Sequence, residues 1–145
     1  MTPEELDEFL TTERTCRVAT LSKDGPHLTA LWFVWHDGSI WLYSIVNSQR
    51  WVDLQRDGRV AVLVDTGTDY FELRGVEIRG TVQTVGEVPR TGAEEVPELV
   101  TPERLFANKY SGSDTMYYDK KHAWLRVIPE KITSWDFRKI RAQAG

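Results

Sequence analysis

The sequence predicts a mainly β protein of the α+β class: a small antiparallel β-barrel of six or seven strands with short helices around it. Three observations carry this. Runs rich in β-branched and aromatic residues recur at short spacing, Asp-Gly pairs separate the first of them, and stretches of helical periodicity are few and brief. The 145 residues suit a single domain spanning 1–145 with one sizeable core.

Thr2-Pro3-Glu4-Glu5 reads as a helix start, with Thr2 as cap, Pro3 in the first turn and Glu5 completing a capping box. Leu6, Phe9 and Leu10 follow at helical spacing, which predicts a helix over 3–13. Three strands come next, near 15–22, 27–35 and 40–46, joined at "KDGP" and "HDGS". In "NSQRWVDLQRDG", Trp51 and Leu54 stand three apart, so residues 49–57 predict a short helix stopped by Gly58. "RVAVLVD" is a fourth strand, and "YFELRGVEIRGTVQTV" a long fifth one whose Gly75 and Gly80 mark bulges or bends. After a loop over 86–100, "TPERLFANKY" begins like a helix, and "HAWLRVIPEKITSWDF" supplies one or two closing strands. The run "ALWFVW" (30–35) is apolar on both faces. One face would meet the barrel core; the other would meet a ligand ring or a second subunit.

Composition narrows the function. A net charge of -4 does not suit nucleic acid, and no apolar run approaches the ~20 residues that span a bilayer. The acidic, amphipathic start is unlike a secretory signal, and a lone Cys16 excludes an internal disulfide or cysteine cluster. A cytoplasmic protein with a small-molecule substrate and no nucleic-acid or membrane partner is the expectation. His27, His36 and His122 lack partners at metal-ligand spacing, so no metal is expected. No Gly-x-Ser-x-Gly elbow and no Gly-rich phosphate loop is present; "DTGTD" (65–69) has no second copy and reads as a tight loop.

"NSQRW" supports two readings. Ser48 at a helix start, with the N–H groups of 49–51 and the Arg50 guanidinium, suits a phosphate. Read locally, the plainer account is an ordinary N-cap beside a solvated arginine.

The order of segments then matters. "VATLSKDGPHLTALWFVWHDGSIWLYSIVNSQRWVDLQRDGRVAVLVD", with "YFELRGVEIRGTVQ" and "PEKITSWDF", resembles the pyridoxamine 5'-phosphate oxidase-like split-barrel family, flavin reductases included. The pattern is nearest the actinobacterial deazaflavin (F-420)-dependent reductases and covers roughly residues 5–138. The resemblance implies a homodimer with its cofactor in a groove at the interface. It places Thr29, Ala30, Leu31, Trp32 and Phe33 along the ring system, and Ser44 and Ile45 at ring and tail. Ser48, Gln49 and Arg50 fall on the phosphate-binding turn, which reverses the plainer reading. Most relatives carry lysine where Arg50 stands here, and "RDP" where this chain has "RDG". The implied activity is an F-420-dependent oxidoreductase, with hydride passing between deazaflavin and a small electron-poor substrate. Trp135 and Tyr117 or Tyr118 are candidates for closing over that substrate. Two alternatives stay open: an FMN-binding oxidase or flavin reductase of the same fold, and a non-catalytic carrier of F-420 or of haem, with His27 or His122 as haem ligand.

Overall fold

A computed structural model describes residues 1–140. Six strands form one closed antiparallel barrel: β1 (Thr15–Ser22), β2 (Gly25–His36), β3 (Ser39–Ile45), β4 (Arg59–Thr66), β5 (Arg74–Val85) and β6 (His122–Asp136). Their order around the barrel is β1-β2-β3-β6-β5-β4. Helices α1 (Pro3–Thr12), α2 (Gln49–Arg56) and α3 (Val100–Ser111) accompany them, with single turns at Tyr70–Glu72 and Pro97–Leu99. None of the described helices is long and apolar enough to cross a membrane.

Local chemistry explains most of these bounds. Thr2 and Glu5 form the expected capping box on α1. Asp37 and Gly38 both take positive φ, 52° and 67°, the two-residue turn that Asp-Gly favours between paired strands. The first hairpin differs: Lys23 and Asp24 make the turn, and Gly25 (φ 118°) already pairs with Ser22. The closing segment is a single strand, so the count is six. Its register against β5 shifts at Arg79/Gly80, where Gly80 passes the Ile128 carbonyl so closely that a Cβ would collide with it. Gly75 is no bulge. It pairs regularly with Trp135, whose indole occupies the space a Cβ would need. Gly80→Ala is therefore expected to cost about 1–3 kcal/mol through overpacking. Urea unfolding reads this directly, and an unmoved midpoint would sink the steric account.

The barrel interior holds Cys16, Val18, Phe33, Leu42, Val62, Val76, Ile78 and Leu125, with Phe9 and Leu10 from α1 and Trp51 and Leu54 from α2. A second core lies outside the barrel wall, where Val34, Trp41, Val85 and Trp124 meet Leu99 and Phe106. This explains the doubly apolar β2. Its outer face is covered in part by α3 of the same chain, with Tyr110 stacked on Trp32 at 4.2 Å and 6°.

The order of strands also explains the segment between β3 and β4. These two are not neighbours, since β6 and β5 stand between them on one side. A two-residue turn cannot join them; α2 makes the crossing and packs on β1 and β2 through its buried face.

Candidate functional site

Ser48 holds extended backbone angles and its Oγ accepts the Trp51 N–H at 3.2 Å, which starts α2. Helical spacing then turns Arg50, Trp51, Asp53 and Leu54 inward. Asp53 is buried and accepts from Thr20 Oγ1 at 2.8 Å and from Gln49 Nε2 at 2.6 Å, fixing the helix to β1. Arg50, only 8% exposed, donates from Nε to Ser44 Oγ at 3.1 Å and from Nη1 to Thr29 Oγ1 at 2.7 Å. Both partners are neutral hydroxyls. Among the described residues no carboxylate pairs with Arg50. Burial pushes the nearby Cys16 thiol up to about 12, so it adds no negative charge. Burial also lowers Arg50 from its usual value, yet a guanidinium keeps its proton in a protein. A buried, unbalanced cation results.

That cation lines a cavity of about 570 Å³. Its wall is made by Ala30, Leu31 and Trp32 of β2, Tyr43 and Ile45 of β3, Phe106 of α3, and Met116 and Tyr117 of the following loop. Trp32, Tyr43 and Phe106 pack together, with centroids 6.1 Å and 5.6 Å from Phe106. Asp119 and His122 also line it, with Ala107, Ser111 and Thr115. His122 stacks on Tyr43 at 4.7 Å and 15°. The Tyr43 hydroxyl is buried with no partner, and burial pushes its phenol well above the usual range. Burial opposes charge on Asp119, but the Lys121 N–H, the His122 imidazole and the His122 N–H together outweigh it and hold the carboxyl below its usual value.

Of the residues expected at a cofactor, the structure brings Ala30, Leu31, Trp32, Ile45 and Arg50 together. Thr29 and Ser44 act one step back, as the hydroxyls that hold the guanidinium. Others fall outside the lining. The Phe33 side chain faces the barrel core, and its carbonyl accepts from Tyr110 at 2.8 Å. Ser48 is occupied in capping and Gln49 in holding Asp53. Among the substrate candidates, Tyr117 lines the cavity at 82% exposure. Tyr118 instead donates to Glu103 at 2.9 Å, and Trp135 covers Gly75 on the β5–β6 ladder. The sequence does not single out Tyr43, Phe106 or Asp119 as site residues, and it offers His122 only as a haem ligand. Asp119 and His122, three apart in "YYDKKH", were the one local signal for them.

This barrel has counterparts. A solved conserved hypothetical protein from Mycobacterium tuberculosis is 33% identical, with 97% of this chain and 88% of that one covered and a TM-score of 0.79. A structure described as an F-420 reductase aligns over 88% of this chain and 94% of its own at 19% identity, with a TM-score of 0.65. A FAD-binding protein from Mycobacterium smegmatis aligns over 93% and 94% at 18% identity, with a TM-score of 0.64. At those identities the last two speak for the fold alone. No curated protein sequence matches. The pyridoxamine 5'-phosphate oxidase family profile matches residues 2–136, taking in every strand of the barrel and the whole cavity lining, and the chain belongs to that family.

Proposed function

We propose that this protein is an oxidoreductase that holds F-420 in the cavity beside Arg50, the phosphate of the cofactor resting on the guanidinium. The observation that carries the proposal is the buried cation without a counter-ion. Isolating such a charge from water costs several kcal/mol unless an anion repays it, and a ligand phosphate is the natural anion here. The rest of the lining fits a planar ring system: the rings of Trp32, Tyr43 and Phe106 are at hand, and an unpartnered hydroxyl awaits a polar atom. Charge favours F-420 over FMN. The F-420 phosphate is a diester with one negative charge, matching one arginine, whereas the FMN monoester approaches two at neutral pH.

Bound in reduced form, F-420 supplies a hydride to a small electron-poor acceptor. The chain's own contribution is to seat the phosphate with Arg50, hold that guanidinium with Ser44 and Thr29, and keep water from the ring with Trp32, Tyr43 and Phe106. We further propose that two copies pair over the outer face of β2 and the end of β3, where Leu28, Trp32 and Ile45 are 66%, 49% and 49% exposed.

Titration with F-420, FMN and haem, followed through quenching of the six tryptophans, tests the proposal. Tight binding of F-420 and weaker binding of FMN are the expected results. FMN binding with no response to F-420 would overturn it in favour of the FMN enzyme.

A further inference from the structure

We propose that His122, oriented by Asp119, delivers from Nε2 the proton that accompanies hydride transfer to a conjugated carbonyl substrate held in the cavity. The inference rests on the oxidoreductase reading and adds to it a residue with a role in the reaction. His122 opens β6 and forms part of the cavity wall, as does Asp119. Its Nδ1 is buried and lies 2.5 Å from Asp119 Oδ2, at an angle too bent for a straight hydrogen bond. Two lone pairs would repel at that separation, so the proton sits on Nδ1, where the carboxylate stabilises it electrostatically. With Nδ1 committed to Asp119, Nε2 is the nitrogen left for a ligand, and the side chain keeps a quarter of its surface open.

The neighbouring groups suit the same substrate. The Tyr43 ring stacks on the imidazole, and the Tyr43 hydroxyl is neutral and without a partner. It can donate to a carbonyl oxygen while His122 supplies the proton. Arg50 lines the same cavity but never gives up its proton, and the exposed Tyr117 at its edge is not held by any partner. His122 is therefore the acid this lining offers.

The step balances as follows. Hydride from the reduced deazaflavin forms a C–H bond at the β-carbon of an enone, and the C=C electron pair moves onto the carbonyl. The imidazolium form of His122, its Nδ1–H beside Asp119, gives its Nε2 proton to the α-carbon of the resulting enolate, leaving the saturated ketone and neutral His122 with its proton on Nδ1. Neutral His122 regains its proton from solvent, Asp119 staying ionised throughout.

Two readouts test this. With reduced F-420 and 2-cyclohexen-1-one, His122→Gln should slow turnover by at least about 10²-fold, the usual contribution of a positioned acid, the loss being read in kcat at saturating F-420. Asp119→Asn should lose less and regain rate when aspartate is restored as glutamate. Wild-type rates in His122→Gln would overturn the proposal. The second readout needs no turnover: in protein labelled with ¹⁵N-histidine, the protonated nitrogen of neutral His122 should be Nδ1, and saturating 2-cyclohexen-1-one should shift Nε2. An Nε2 resonance unmoved by the enone would also overturn it. Failure of F-420 to bind wild-type protein would instead count against the oxidoreductase reading, with the Nε2 shift still deciding the role of His122.

Discussion

Replacing Arg90 with methionine is expected to remove about 3–5 kcal/mol of stability, the largest effect of any single change considered for this chain. Arg90 is 4% exposed and lies among carboxylates. Its Nε and Nη2 donate to the two oxygens of Glu103 at 2.9 and 3.1 Å, and its Nη1 donates to Glu87 and to the Glu94 carbonyl. Glu103 also accepts from Tyr118 Oη at 2.9 Å and Trp124 Nε1 at 3.0 Å. The cluster ties loop 86–99 and α3 to the outside of the barrel. Without the guanidinium, Glu87 and Glu103 face each other in a space with little water. The Glu103 and Glu87 partners raise Arg90 above its usual value, the Glu103 hydrogen bonds foremost.

The same cluster fixes an acid response. Burial disfavours charge on Glu87, but the Arg90 hydrogen bond, the N–H groups of Glu87 and Glu94 and the Arg90 charge together outweigh it and hold the carboxyl at about 2. A carboxylate depressed in the folded state contributes stability that is complete above its unfolded value near 4.5 and is lost as pH falls towards 2. In Arg90→Met this dependence should reverse, since protonation would then relieve two unpaired carboxylates. Chemical unfolding of both proteins from pH 7 down to about 2 measures it. A variant as stable as wild type would show that the cluster is not the tie described.

Arg50→Met should separate stability from function. Affinity for F-420 is expected to fall about 10- to 150-fold, or roughly 1.5–3 kcal/mol, as the charge-assisted contact to phosphate disappears. The ligand-free variant should nevertheless be at least as stable as wild type, because it no longer buries a cation without an anion. The hydroxyls of Ser44 and Thr29 lose their donor, which limits the gain. Thermal unfolding of the free protein, set beside tryptophan quenching by F-420, reads both quantities. Destabilisation with unchanged affinity would make Arg50 a structural residue and remove the phosphate site.

Much of this was legible in the sequence, for identifiable reasons. Asp-Gly turns, alternating apolar runs and the Thr2–Glu5 box are local signals, and each marks an element the structure contains. The helix over 49–57 was equally local. Its purpose was not, because the need to cross from β3 to β4 follows only from the closed strand order. The two apolar faces of β2 were visible, but the partner covering the outer one, α3, lies some 75 residues further along the chain. The site divides in the same way. Arg50 stood out by its position at a helix start, yet its burial depends on Thr29 and Ser44, contributed by two strands. Tyr43, Phe106 and His122 come together only through the fold, and nothing in the separate segments marks them as neighbours.

A structure of the protein crystallised with F-420 tests the central claim most directly. The expected result is a phosphate oxygen within about 3 Å of the Arg50 guanidinium, with the deazaflavin ring in the cavity lined by Trp32, Tyr43 and Phe106. F-420 bound with its phosphate on another cation, leaving Arg50 without an anion, would contradict it.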